Sequence, residues 1–330
     1  MNFIKKIFLD FYIFLKMLIL GSCSLISEMC CFVQPIKNPI NRENEYVVVT
    51  GGNRGIGWST VKSLAESGMK VIVGCRDGPS RDLLYQSVKQ AELPTESVEW
   101  INLDMSSMES VRAFGQAILD KNVPISLLIN NAGTMASYTL TKDGFESAFA
   151  INYLGHFLLT HLLMPRLIAA GTNDKAARIV NVSSSGQALG FFQINDLQGE
   201  SYYNKFGAYC QSKAAQIMFT KVLHELLTSK NKPVKVYAVH PGVIKTNVWS
   251  KYWFTHFTSI FSGFLGKTEA QGAQRVVYAA LSPKAEDLSG NFFENSKVVQ
   301  PIALVRNRDM QTQLWEKSCQ LLDISQFGGL

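Results

Sequence analysis

The sequence predicts a doubly wound α/β domain, a parallel sheet with helices over both faces, and three observations carry that prediction. From Glu45 onward, short β-branched runs alternate with amphipathic stretches of helical length. The runs are continuously apolar instead of alternating, as in strands buried on both faces. The first of them, YVVVT, leads directly into a glycine-rich turn, TGGNRGIGWST, ahead of a helical stretch. Parallel strands require crossover connections, and these are right-handed, so the intervening helices cover both sides of one sheet.

The N-terminal element stands apart. After Lys5 and Lys6 the chain reads IFLDFYIFLKMLILGSCSLISEMCCFV, rich in Ile, Leu and Phe but interrupted by Asp10, Lys16 and Glu28. A membrane-crossing helix needs about 20 apolar residues without charge. Residues 1–35 are therefore read as a signal anchor or membrane-surface helix, with a cleaved signal peptide and a structural helix as the alternatives. The segment is expected to lie outside the fold. Cys30 and Cys31 at its end are either acylation sites or ordinary thiols of an apolar segment. Residues 36–44, with their proline and asparagines, read as a linker, and residues 45–330 as a single catalytic domain. Strands are expected at 46–50, 70–75, 98–103, 126–130, 178–183, 235–240 and 291–293. Helices are expected near 56–67, 80–91, 107–121, 144–170, 207–229 and 268–281.

At 330 residues, 47% hydrophobic and 18% charged, the chain can bury one large core. Its net charge of +6 is spread in ones and twos, which argues against a nucleic-acid partner. Cys23, Cys30, Cys31, Cys75, Cys210 and Cys319 have no metal-type or disulfide-type spacing, so no metal site is expected and a reducing compartment suits the domain. His156 and His161 read as helix-face residues.

Gly51, Gly55 and Gly57 fall in a GxxxGxG spacing between a strand and a helix, around Asn53, Arg54 and Ile56. Such a turn lets backbone approach a pyrophosphate, whose charge suits the N–H groups at the start of the next helix. The strand before and the helix after it suit the phosphate turn of a Rossmann-type sheet, against the plain reading of a tight turn in some other α/β protein. After the second strand the chain reads GCRD. An acidic side chain there takes the ribose hydroxyls of NAD, whereas an arginine accepts the 2′-phosphate of NADP. Arg76, with Arg54 in the turn, favours NADP; Asp77 keeps NAD open. Asp104, after the third strand, can accept from the adenine amino group, and NNAG (Asn130, Asn131, Ala132, Gly133) ends the fourth, where the strand order reverses.

Tyr209 and Lys213, four apart on one helix, project from the same face. A free phenol, with a pKa near 10, is a poor acid–base at neutral pH. A neighbouring ammonium and a positively charged oxidised nicotinamide are each expected to lower it, so that Tyr209 can exchange a proton with a substrate oxygen. The run NVSSSG offers hydroxyls to the same oxygen.

Taken together, TGGNRGIG, NNAG, INYLGHF, IVNVSS, YCQSK and HPGVIKT resemble, in order and spacing, the short-chain dehydrogenase/reductase family over residues 45 to 300. The resemblance implies NADP-dependent oxidation of CH–OH groups, with NAD as the alternative cofactor. It implies Ser184 as the catalytic serine, Tyr209 as the acid–base and Asn152 as holder of a relay water. Lys213 is implied to bind the nicotinamide ribose beside Tyr209, and Pro241, Gly242, Val243 and Thr246 to clasp the carboxamide. Ser183 and Ser185 are set aside by alignment alone.

Within the family the chain is similar to the retinol dehydrogenase-like branch, and DGFESAFAINYLGHFLLTHLL, AYCQSKAAQIMF and QTQLWEKSC are most similar to a member acting on polyprenoid alcohols and aldehydes. Arg76 departs from that member's pattern. Retinol and steroid alcohols are the alternative substrates, and a non-catalytic NADP-binding scaffold or an S-adenosylmethionine methyltransferase the rival classes. Trp249, Tyr252, Trp253, Phe254, Phe257, Phe261 and Phe264 suggest an apolar substrate or a membrane contact, against the plain reading of a packed core helix or dimer contact. With the N-terminal segment, they point to a lipophilic substrate and an enzyme on the endoplasmic reticulum membrane; secretion after cleavage is the alternative, and a homo-oligomer is compatible with either. The sequon Asn181-Val182-Ser183 lies on the strand leading to the catalytic serine and is expected to be unused.

Overall fold

Val47, Val48 and Val49 are each fully buried, with Val47 and Val49 in one core and Val48 in another. Because successive side chains of a strand face opposite ways, the first strand must run between two packed layers. The computed structural model describes residues 3–29, 42–43, 45–244 and 267–330.

The strands are β1 (Tyr46–Thr50), β2 (Lys70–Cys75), β3 (Val98–Asn102), β4 (Ile125–Asn130), β5 (Ala177–Val182), β6 (Val234–His240), β7 (Phe292–Glu294) and β8 (Lys297–Val299). They form one sheet in the order β3-β2-β1-β4-β5-β6-β7-β8, parallel from β3 through β7, with β8 antiparallel at the edge. The expected doubly wound architecture is what is found, with β8 as an addition. The chain winds out from β1 to β3 and returns to β4, so the carboxyl ends of β1 and β4 open a cleft between oppositely wound halves.

One face carries α2 (Gly55–Glu66), α3 (Pro79–Gln90) and α7 (Glu269–Leu281), which close over Val47, Val49, Val71 and Val73. The other carries α4 (Met108–Asp120), α5 (Gly155–Ala170) and α6 (Lys205–Ser229), over Val48, Ile72, Leu128 and Ile179. A C-terminal helix, α8 (Arg308–Leu321), packs outside α6, where Trp315 stacks on Phe219 with ring centroids 6.0 Å apart.

Two local features differ from expectation. The helix expected over 144–170 enters as a short turn, Ser147–Phe149, then widens into a π turn, Ala150–Leu154, before α5 begins. The expectation that the N-terminal segment lies outside the fold is corrected: α1 (Phe3–Met29) docks on the domain. Ile13 is 1% exposed in a cluster with Leu189, Tyr202 and Cys210, because the inward stripe of α1 buries apolar surface there. Its outer stripe, Ile7, Phe8, Phe11, Tyr12, Leu15, Leu18 and Ile19, stays exposed. Among the described residues no helix is long and apolar enough to cross a membrane. Cys30, Cys31, nearly all of the linker, Thr246 and the aromatic run from Trp249 to Phe264 lie outside the described residues.

Candidate active site

The turn after β1 is closed by backbone. Gly51 (φ +65°) and Gly55 (φ +62°) take left-handed conformations that cost a side chain dearly. Gly57 has no room for one: a Cβ there would lie 2.2 Å from Gly51 O and 2.6 Å from Asn131 Nδ2. Arg54, extended at the N-cap of α2, gives no side-chain cap, so the N–H groups of the first turn of α2 keep their donor capacity for a ligand. That is the donor set a pyrophosphate requires, and the residues present fit a dinucleotide.

Thr50 ties this turn to the neighbouring strand. Its Oγ1 accepts from Asn131 N at 2.9 Å and Ala132 N at 3.0 Å, while Asn131 Nδ2 donates to Thr50 O at 2.9 Å and Gly51 O at 3.2 Å. With both lone pairs of Thr50 Oγ1 engaged, its proton goes to His156 Nε2 at 2.8 Å in preference to Ile129 O at 3.5 Å. His156 is then the Nδ1–H tautomer, donating to Asn152 O at 3.1 Å. Burial holds its pKa down at about 3, so it stays neutral.

Asn152 sits in the π turn. Its Oδ1 accepts from Thr134 N at 2.7 Å, and its Nδ2 donates to Thr134 O at 2.9 Å and Ser212 Oγ at 2.8 Å. Gln216 Nε2 reaches Asn152 O at 2.6 Å. Behind it, Asn130 Nδ2 donates to Asn181 Oδ1, and Asn181 Nδ2 to Thr220 Oγ1, each at 2.8 Å. Asn181 is wholly buried, which leaves no room for a glycan on the sequon.

After β5 the serines separate by role. Ser183 is buried and donates to Lys213 O at 2.6 Å, whereas Ser184 accepts from Gly186 N at 3.0 Å and lies on the side of the Tyr209 phenol, whose upward shift it opposes. Lys213 is buried, with Nζ donating to Val182 O at 2.6 Å and lying 6.0 Å from the centre of the Tyr209 ring. A Cβ on Gly133 would come within 3.5 Å of Lys213 Nζ and 3.4 Å of Asn152 Oδ1. Asn152, Ser184, Tyr209 and Lys213 therefore meet at the edge of the dinucleotide cleft.

In the cofactor-free chain Lys213 alone does not give the expected acidification of the phenol. Burial raises Tyr209 to about 12, the Ser184 hydrogen bond only partly opposing it, and burial depresses Lys213 to about 7. In this apolar wall desolvation of each charged form outweighs their mutual stabilisation across that gap.

The remaining expected residues divide. Asn53 is buried in the glycine turn beside half-buried Ile56. Arg54 and Arg76 are exposed on the nucleotide side, and Asp77 pairs with Arg81 at 2.9 Å. Asp104 Oδ1 accepts from Ser106 N at 2.9 Å and Ser106 Oγ at 2.7 Å. Pro241, Gly242 and Val243 follow β6 as expected, and buried Arg275 donates to Pro241 O at 2.9 Å. Sequence reasoning missed Thr50, His156, Gln216 and Arg275. His156 carried a signal, since it stands four residues after Asn152 in INYLGHF.

A family model described as short chain dehydrogenase matches residues 45–255. The chain is 38% identical over 296 residues to the polyprenol dehydrogenase of Homo sapiens, covering 89% of each protein. It is 41% identical over 280 residues to retinol dehydrogenase 12 of Bos taurus, covering 84% of this chain and 86% of that protein. A solved structure of an uncharacterised protein from Mycobacterium paratuberculosis superposes with a TM-score of 0.65 at 31% identity, covering 85% of this chain and 94% of that one. An active-site complex of Pseudomonas aeruginosa RhlG with NADP, at 22% identity and a TM-score of 0.60, covers 78% of this chain and 96% of that one and shares the fold. The chain belongs to the short-chain dehydrogenase family, nicotinamide-dependent oxidoreductases acting on CH–OH groups.

Proposed function

We propose that this chain interconverts a lipophilic alcohol, a polyprenol in first place and a retinol or steroid alcohol in second, with its carbonyl, using NADP in preference to NAD. The observation that carries the reading is the meeting of Tyr209, Ser184, Lys213 and Asn152 beside the Gly133 backbone. The names of the relatives supply the substrate class.

A nicotinamide held in the cleft would supply the hydride acceptor or donor. In the oxidising direction the alcohol loses that hydride and its hydroxyl proton, leaving a C=O bond. Tyr209 Oη takes the proton as its own phenol proton passes on towards Lys213, so the phenol is neutral before and after, and in reduction the same relay runs in reverse to the carbonyl oxygen. Ser184 Oγ holds that oxygen as charge develops on it. Lys213 lies on the proton path, where a pKa of about 7 lets it both hold and release a proton near neutrality. Asn152 fixes the opposite side through Thr134 and Ser212.

Gly51, Asn53, Gly55, Ile56 and Gly57 cradle the pyrophosphate, and Asn131 and Ala132 border the nicotinamide half. Asp104 would take the adenine amino group, and Pro241, Gly242 and Val243 after β6 would border the carboxamide. Exposed Arg54 and Arg76 suit a 2′-phosphate, which supports NADP. The exposed apolar stripe of α1 supports attachment to a membrane surface, and we assign the endoplasmic reticulum membrane on the family resemblance.

The test is turnover of polyprenol, retinol and steroid alcohols by the purified chain, followed by reduced-nicotinamide absorbance with each cofactor. Oxidation of polyprenol or retinol, faster with NADP at limiting cofactor, is expected. No turnover of any of the three with either cofactor would overturn the reading.

A further inference from the structure

The N-terminal helix reaches the catalytic helix through one carboxylate. Asp10 Oδ1 accepts from Tyr202 Oη at 2.6 Å and from Asn204 Nδ2 at 2.8 Å. Asn204 is the N-cap of α6, and its Oδ1 accepts from Phe206 N and Gly207 N, both at 3.1 Å. An asparagine amide presents an acceptor at one end and donors at the other, and a half-turn exchanges them. A carboxylate can only accept. Asp10 therefore selects the amide orientation in which Nδ2 faces α1 and Oδ1 caps the helix. Tyr209 follows Asn204 by five residues, little more than one turn of α6. Ile13 and Met17 brace the same wall, with Met17 Sδ 3.8 Å from Cys210 Sγ and Tyr209 packed on the cluster that holds Ile13.

We propose that Asp10 is a positioning residue of the active site: by orienting the Asn204 cap it sets the first turn of α6 and hence the Tyr209 phenol, so that α1 is a working part of the enzyme beyond any anchoring role. This rests on the reading of Tyr209 as the acid–base. Tyr202, whose phenol is held neutral by burial and by the Asp10 carboxylate, donates the second bond that keeps Asp10 in place.

The test uses the full-length protein in detergent, with two readouts: amide hydrogen exchange at Phe206 and Gly207 without substrate, and kcat and KM for retinol with NADP. Asp10→Ala is expected to speed exchange at both amides and to lower kcat on the order of tenfold with KM nearly unchanged, the signature of a misplaced reacting group. Asp10→Asn retains an acceptor oxygen and is expected to restore both readouts to within about twofold. Ser at position 204 caps through its own hydroxyl, so in an Asn204→Ser background Asp10→Ala is expected to add nothing to the exchange. Leu15→Ser, on the exposed face of α1, is the control and is expected to leave exchange unchanged.

Wild-type exchange and kcat in Asp10→Ala, alongside loss of turnover in Tyr209→Phe, would overturn the proposal while leaving the acid–base reading intact. Retained turnover in Tyr209→Phe would instead sink the acid–base reading, and the exchange data would still decide whether Asp10 holds the cap. Should Asp10→Ala not fold, Tyr202→Phe, which removes the second bond holding Asp10, carries the comparison: faster exchange at Phe206 and Gly207 is expected, and wild-type exchange would overturn the proposal.

Discussion

At the dinucleotide end of the cleft the chain offers mostly backbone: glycine turns, uncapped N–H groups of α2 and exposed arginines at the rim. At the catalytic end it offers polar side chains in the protein's interior: Asn152 is held by Thr134 and Ser212, Lys213 by Val182 O, and burial moves the ionisation of Tyr209 and Lys213. A backbone site is defined by shape, and a sequence records shape directly wherever only glycine fits. A site of buried polar groups is defined by environment, which residues far apart in sequence supply.

This contrast can be broken experimentally, the largest effect first. Gly57→Val puts a Cβ where Gly51 O stands, and the displaced turn is expected to weaken dinucleotide binding by at least about 100-fold, measured by fluorescence quenching or calorimetry. Binding within tenfold of the unaltered chain would show that the turn is not the phosphate cradle.

The catalytic end should answer to pH instead. Lys213 has a folded pKa of about 7 against an ordinary 10.5. Between those values the unfolded chain binds a proton that the folded chain does not. The Lys213 contribution to the folding stability of the cofactor-free protein is therefore expected to fall as pH drops from 10.5 to 7, with the full cost present below 7. Lys213→Met should remove that slope, worth on the order of a few kcal/mol, in denaturant titrations at a series of pH values. An unchanged slope would mean that the ammonium is not desolvated.

The expected strands over 46–50 and 70–75 coincide with β1 and β2, because continuous Val/Ile runs bounded by turn residues leave little choice. β8 was not legible, since three residues, Lys297–Val299, carry no period. Helix α8 escaped because only Gln311, Leu314 and Ser318 of it are buried, too polar a face to read as amphipathic. The motifs name Asn152, Ser184, Tyr209 and Lys213, which the fold brings to one edge of the cleft, yet the direction of the Tyr209 shift in the cofactor-free chain was not legible. Local spacing shows that Lys213 is near; it does not show how little water is. The docking of α1 was hidden for a similar reason, because Asp10 reads as a defect in an apolar segment until Tyr202 and Asn204 are placed beside it.

Two smaller effects sharpen the comparison within each half. Ser184→Ala is expected to lower kcat about 10- to 100-fold by removing the hydroxyl opposite the phenol. Ser183→Ala should leave kcat within a few-fold and cost about 1–2 kcal/mol of stability through its lost bond to Lys213 O. Equal kinetic effects from the two serines would erase the distinction drawn here. Smallest is Arg76→Ser, expected to raise KM for NADP about tenfold while leaving NAD nearly unaffected, measured in parallel assays.

The central claim is that the Tyr209 phenol moves the substrate proton, and the direct measurement is single-turnover oxidation by Tyr209→Phe with cofactor bound to saturation. The expected result is a rate lower by about 10²- to 10⁴-fold with dinucleotide affinity unchanged. A rate within a few-fold of the unaltered enzyme would contradict the account.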